Sequence, residues 1–338
     1  MTEGAPPKRP PDQWKLRQPF GPRGAAIALL ASVLLALSAR HTEMDRMVVL
    51  LGQYAAHVVG LRPDSEVAKG VDRYVSTAFP LVLSEETPIA RIPGFDRAHP
   101  PLFSRVEVRQ STSAEFDYGR GEMVKKTESR EVLVRPVGYL VFILGKMLES
   151  LEIALWGTLL GIGLGAPVAY FGTRGYSPHP VLHAVARGFA GFLRALPELV
   201  SALFLVLAFG FGPIAGVLAL GLHSAGFFGK FYADDIENAD RGPQEALVAL
   251  GAGDLKVLRY AVLPQVLPQY ASYTQYVLER NVRMATVIGV VGAGGIGIEL
   301  KGRFDMFDFG HVTTILLVIF LTVVGLEQLS QWARRRLM

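Results

Sequence analysis

The chain has 338 residues, with 34 Lys and Arg against 30 Asp and Glu for a formal net charge of +4, and it contains 36 glycines and no cysteine. Half of its residues are hydrophobic and the mean hydropathy is +0.32, which points to a polytopic membrane protein and away from a water-soluble enzyme. Without cysteine, disulfides and thiolate metal sites are excluded, and the basic residues cluster at the ends of apolar runs, so membrane topology accounts for them better than nucleic-acid binding does.

In chain order, residues 1–23 are rich in Pro and Gly and carry Lys8, Arg9, Lys15, Arg17 and Arg23, the composition of a disordered cytoplasmic tail. Residues 24–40 are apolar and, with their flanks, long enough for a first transmembrane helix, since a crossing takes about 17 to 25 residues. A signal peptide is the competing reading. An uncleaved helix is expected because no A-x-A site follows and residues 40–47 continue as charged helix. Residues 42–61 keep helical period at Met44, Val48, Leu51, Ala55, Val58 and Val59, but Asp45, Arg46, Gln53 and His57 interrupt them, which predicts an interfacial helix.

From 62 to 135 the chain is polar and carries Pro88, Pro93, Pro100 and Pro101. Residues 105–109 alternate charged and apolar, 123–135 end in the strand-like EVLVR, and Tyr118-Gly119-Arg120-Gly121 between them supplies a turn, so a small β-hairpin is expected. Residues 136–149 read as an interfacial helix, which makes the whole of 41–149 an extramembrane segment. Residues 150–333 hold five further spans, near 151–171, 184–211, 214–231, 265–292 and 311–329, and 334–338 form a basic end. Gly157, Gly161, Gly163 and Gly165 give the second span small faces for close helix contact. Six crossings put both termini on one side, which the positive-inside rule makes cytoplasmic, and 41–149 on the other.

The most informative stretch is QEALVALGAGDLKVLRYAVLP, residues 244–264. Its apolar residues Ala246, Leu247, Leu250, Leu255 and Leu258 predict a helix, a glycine turn and a second helix, with one apolar side shaped for a groove on a partner. Gly251 or Gly253 suits the helix C-cap, and Pro264 suits the first turn of the following membrane helix. An ordinary amphipathic loop is the plain alternative. The spacing of Gln244, Glu245, Ala246, Leu247 and Gly251 with Leu263-Pro264 resembles the EAA signature of ABC-importer permeases, the loop that docks on the ATPase; here Leu247 stands for the second Ala and Ala261 for the usual Ile.

Three other features invite a chemical reading. Glu279, Arg280, Asn281 and Arg283 lie inside the fifth span, where charges cost several kcal/mol unless paired or facing a cavity. Glu279 and Arg283 stand four apart, as do Arg194 and Glu198 on the third span, so two ion pairs that fix helix packing are one reading; passage of an anion past Arg280 or Arg283 in a wet pore is the other. Gly292-x-Gly294-x-x-Gly297 spells a dinucleotide fingerprint but follows no strand, so these glycines, with Gly295, are expected to let the helix unwind where subunits and a substrate path meet. The acidic run Asp234, Asp235, Glu237 and Asp240 reads as a solvated face or a partner contact before a metal site, and no P-loop is present.

Together, LESLEIALWGTLLGIGLGAPVA, GPIAGVLALGLHSAGFFGKF, GPQEALVALGAGDLKVLRYAVLPQVLPQY and RNVRMATVIGVVGAGGIG resemble the phosphonate-type ABC permeases over about residues 147–331. The resemblance implies an all-α polytopic membrane protein of the type I importer (MetI-like) fold with a small extracytoplasmic insert, located in the bacterial inner membrane. It implies import of phosphonate or related oxyanions such as phosphite and hypophosphite. Its partners would be a second permease subunit, here a homodimer, two ABC ATPases and an extracytoplasmic substrate-binding protein. ATP and Mg would be held by the ATPase, leaving no cofactor, metal or enzymatic activity in this chain. An ion-coupled secondary transporter, or a permease of the same class for another small solute, are the alternatives.

Overall fold

A computed structural model describes residues 21–95, 100–101, 103–117 and 122–337, so most of the predicted tail and the turn at 118–121 lie outside the described residues. Two compact units divide after Ser76, Met1–Ser76 and Thr77–Met338.

In the first unit, α1 (Pro22–His41) opens with Pro in its first turn, where a missing N–H does no harm. It is apolar on every side from Ala25 to Leu37 and buries none of its described residues, with Leu29 at 71% and Leu35 at 70% exposure, as a lipid-facing span requires. The amphipathic α2 (Met44–Val58) follows and buries no residue of its own. α3 (Glu66–Ala78) stands in the polar stretch after 62, where no helix is expected, although Val67, Val71, Tyr74 and Val75 recur at helical spacing.

The second unit begins with a small antiparallel sheet, ordered β1 (Glu85–Pro88), β3 (Glu122–Arg135), β2 (Arg105–Asp117). The expected hairpin is β2–β3, running from Arg105 opposite Val134 to Asp117 opposite Glu122. Val132, Leu133 and Val134 of the central strand are buried, and Arg135 and Arg109 pair with Glu85 and Glu86 of the edge strand at 3.0 and 2.7 Å. The Leu83 carbonyl accepts from Tyr139 N–H at 3.1 Å, and the Val82 carbonyl from the Thr314 hydroxyl at 2.9 Å, which fastens the sheet to one end of the helix bundle.

The bundle is built on α4 (Gly138–Gly172) and α7 (Pro213–Asn238). The expected interfacial helix at 136–149 is the first part of α4, because nothing between Leu148 and Leu151 interrupts helical hydrogen bonding. Gly157, Gly161 and Gly165 recur every fourth residue and face Leu220, Ser224 and Phe228; a Cβ on them would lie 2.8, 2.5 and 2.7 Å from those Cβ atoms. Gly221 and Gly229 reciprocate against Leu160 and Val168. Within a membrane, where lipid is as apolar as leucine, such close backbone approach is the main source of helix association. Gly163 has nothing within 4 Å and takes no part.

The remaining spans are partly broken. The expected third span is two helices, α5 (Pro180–Ala195) and α6 (Glu198–Phe209), bent by 91° at Leu196-Pro197, where proline disfavours the helical conformation for the residue before it. α10 (Leu263–Ile288) ends near Gly292 and α11 (Ile296–Asp305) departs at 45°, before α12 (Phe309–Leu337) crosses last. Four helices among the described residues are long and apolar enough to cross, or up to six if each bent pair is one span.

Candidate functional site

At the end of the bundle opposite the sheet, α7 turns through Asp240 into α8 (Arg241–Ala249), the first helix of the 244–264 stretch. Asp240 caps α8, its carboxylate accepting from Gly242 N–H at 3.0 Å. At the far end Gly251 takes a left-handed φ of +79° while Ala252 and Gly251 donate to the carbonyls of Leu247 and Val248, which closes the helix as a Schellman turn. Gly253, at φ −76°, leads into the short α9 (Asp254–Val257) and a π turn over Leu258–Val262. That wider turn immediately precedes Pro264, whose ring would collide with the carbonyl four residues back in a regular α-helix.

One side chain ties the loop to the bundle. Gln265 accepts from the Asp240 N–H at 2.9 Å and donates to the Ala261 carbonyl at 2.7 Å, so the start of α8 and the base of α10 share a hydrogen-bond bridge. Gln244 folds back on the Asp240 carbonyl at 3.0 Å. Glu245 and Ala246 are exposed, Leu250 is 83% and Leu255 70% exposed, whereas Leu247 is half-buried and Leu258 packs against the buried Val262 cluster. Of the apolar residues that the spacing singles out, Ala246, Leu250 and Leu255 therefore face outward, and Val248 beside them is 58% exposed. Behind them, a cleft of about 770 Å³ runs between α8, the end of α7 and the 173–176 loop, lined by Arg174, Tyr176, Arg241, Gln244 and Glu245 among others. Burial, and then the nearby Asp254 carboxylate, raise the Tyr176 phenol above its ordinary value.

The acidic run is partly solvated and partly paired within the chain: Glu237 and Asp240 are exposed, while Asp234 and Glu237 meet an arginine. Arg187 of α5 pairs with Asp234, reaches Glu237 at 3.0 Å and donates to the Gly172 carbonyl at 2.7 Å, while Glu237 accepts from Arg174 N–H at 2.9 Å. One guanidinium thus joins the ends of α4 and α7 to the middle of α5 beside the loop. In the sequence Arg187 is only a charge near the start of a span, since nothing local announces partners some fifty residues away.

Mid-bundle, the structure re-sorts the predicted ion pairs. Arg194 and Glu198 lie on either side of the 91° bend; Arg194 packs over the Phe231 ring at 5.6 Å, and Glu198 turns to Arg280 at 3.0 Å and His223 at 3.3 Å. No Glu279–Arg283 pair forms among the described residues. Both side chains instead line the groove between α10 and α12 with Glu327, and Arg283 is exposed. Asn281 is fully buried and donates to Thr158 of α4 at 2.9 Å and Ser224 of α7 at 3.0 Å, pinning three helices at their closest approach. Asn281→Leu should lower stability by about 1–2 kcal/mol, the upper range for such bonds in a bilayer, read as a lower melting temperature of the solubilised chain. His223, like Arg187 and Gln265, is a residue that sequence reasoning missed, though an ionisable residue within an apolar span is itself a signal.

The glycine break is packed inside the chain. Gly292, Gly294 and Gly295 have φ of +94°, +92° and +74°; a Cβ on Gly292 would collide with the Phe211 ring and one on Gly297 with the Thr286 carbonyl. Gly212 N–H donates to the Gly292 carbonyl at 3.0 Å. From α4, Glu149 and Ser150 accept from Gly295 and Ile296 N–H at 3.0 and 2.9 Å, so another helix caps the start of α11.

Comparison with known proteins agrees with this geometry. Residues 157–337 match the family model described as "Binding-protein-dependent transport system inner membrane component". A protein of Stutzerimonas stutzeri, provisionally named phosphite transport system permease protein HtxE, is 52% identical over 77% of this chain and 99% of its own length. The phosphite transport system permease protein PtxC of the same organism is 43% identical over 56% of this chain and 69% of its own. Among solved structures, the inward-facing MetNI methionine ABC transporter covers 59% of this chain and 95% of its own at 20% identity and a TM-score of 0.51, a likeness of fold. The chain belongs to the binding-protein-dependent transport system inner membrane components and is a permease subunit of an ABC importer with the MetI-like fold.

Proposed function

We propose that this permease admits small phosphorus oxyanions, phosphite first, with phosphonates and hypophosphite as the neighbouring chemistry. The observation that carries this reading is the 52% identity, over nearly the relative's full length, to a protein named for phosphite transport. A largely buried arginine on α10 suits an anionic cargo. The functional unit is two copies of this chain, two ABC ATPases on the side of α8, and an extracytoplasmic binding protein on the side of the sheet, with both termini cytoplasmic. ATP and Mg belong to the ATPases. Closure of the ATPase dimer draws the paired α8 helices together, and the Gln265 bridge passes that displacement to α10.

In this reading, the glycine break at 292–297 acts as a fixed elbow about which α11 keeps its angle while α10 moves. The sheet presents the binding-protein dock. Gln110 lies opposite Ser129, so residues 111–128 can be replaced by Asn-Gly without disturbing the buried Val132–Val134. That trim should abolish stimulation of ATPase activity by the binding protein while leaving the basal rate; undiminished stimulation would remove the dock. The cargo itself is tested by ATP-dependent uptake of phosphite, methylphosphonate and sulfate in proteoliposomes holding the complete complex. Uptake of the first two over sulfate is expected, and equal or absent uptake would overturn the assignment.

A further inference from the structure

We propose that the side edge of the Arg280 guanidinium is a binding site for a tetrahedral oxyanion inside the bundle, and that Glu198 is its built-in competitor. The inference deepens the oxyanion reading above and rests on it for the identity of the cargo.

Nε and Nη2 form the edge of a guanidinium that grips a carboxylate or phosphoryl group with two parallel hydrogen bonds. In Arg280 both atoms are buried and, among the described residues, neither has a partner in hydrogen-bonding geometry. Glu198 Oε1 lies 3.0 Å from Nη2, close enough to balance charge, yet it leaves the fork unfilled. The same oxygen lies 3.3 Å from His223 Nε2, and His223 Nδ1 faces the Leu196 carbonyl at 3.3 Å, so the break between α5 and α6 positions both neighbours of the arginine. Asn281, the next residue along α10, is locked to α4 and α7, which fixes the azimuth of Arg280 without using any of its donors.

A lone guanidinium within a bilayer is costly, and Glu198 offsets its charge. An arriving oxyanion supplies two oxygens to the unused fork and displaces a carboxylate that holds only one corner. Glu198 opens α6, whereas Arg280 rides on α10, the helix bridged to α8 through Gln265. Arg280 is seventeen residues beyond Leu263, about 26 Å along the helix. Displacement of α10, together with the α4 and α7 that Asn281 holds to it, relative to the α5–α6 break changes the Arg280–Glu198 separation. Their renewed pairing expels the anion.

The test uses the full-length chain in detergent, titrated with sodium phosphite in chloride-free buffer and read by phosphorus NMR and calorimetry. Glu198→Gln should bind phosphite about tenfold more tightly than wild type, because the competing charge is gone. The double variant Glu198→Gln with Arg280→Gln leaves no unpaired buried charge; it should keep a native melting transition and bind no phosphite. Binding by Glu198→Gln no tighter than wild type, or binding by the double variant equal to that of Glu198→Gln, would overturn the site. If that happens while the wild-type complex still takes up phosphite, the transport reading survives without this site. The expected binding pattern without phosphite uptake removes the cargo assignment and leaves the site in place.

Discussion

Gly251→Val should reduce ATP-driven uptake by about tenfold or more, with the chain still inserted in the membrane and still assembled. Gly251 sits at φ +79° with nothing within 4 Å of where a Cβ would stand, so the penalty is one of backbone conformation and not of space. An L-residue there costs about 1–2 kcal/mol, and a β-branched one more, which is enough to shift a local two-state equilibrium tenfold. The Schellman turn would open, Leu247 and Val248 would lose their carbonyl partners, and α8 would no longer leave α9 at a defined angle. Two companions separate this cause from others. Gly251→Asn, which tolerates the left-handed region, should retain most activity, and Gly253→Val, at φ −76°, should be close to wild type. Uptake measured in proteoliposomes, with ATPase rate recorded alongside, distinguishes uncoupling from loss of assembly; normal transport by Gly251→Val would remove the turn from the mechanism.

Gly161→Leu is expected to prevent folding altogether. Its Cβ would stand 2.5 Å from Ser224 Cβ and 3.2 Å from the Ser224 carbonyl carbon, and backbone cannot step aside as a flexible side chain does. Overpacking a core costs about 1–3 kcal/mol when side chains give way. Here α4 and α7 must separate, which also breaks the buried bonds that Asn281 makes to Thr158 and Ser224. No monodisperse peak in detergent gel filtration is the predicted outcome. Gly163→Leu, two residues away on the open side of α4, should elute and melt like wild type.

Periodicity and composition made the spans legible because a membrane leaves few alternatives to helix. The β2–β3 hairpin was equally readable from the alternation after Arg105 and the EVLVR run. What the sequence hid were relations between distant residues. Arg194 and Glu198 obey the i, i+4 rule only if one helix holds both, and Pro197 between them, with its effect on Leu196, carried the warning. Glu279 and Arg283 do share a helix, yet both side chains line the groove toward α12, and the ion pair forms instead between the neighbouring Arg280 and Glu198 of α6. The strand β1 contains Glu-Glu-Thr-Pro, which has little strand propensity of its own and exists because β3 offers an edge. Likewise, Asp234 and Glu237 read as solvated until α5 brings Arg187 across.

The absence of native cysteine allows the central claim to be tested with a single probe. Ala246→Cys places one thiol on the exposed side of α8 without touching the Gln265 bridge. In intact spheroplasts this thiol should be shielded from a membrane-impermeant maleimide, and in inverted vesicles it should cross-link to a co-assembled ATPase, with the yield changing on addition of ATP. Labelling from outside intact spheroplasts, or no cross-link in an assembled complex that hydrolyses ATP, would contradict the account.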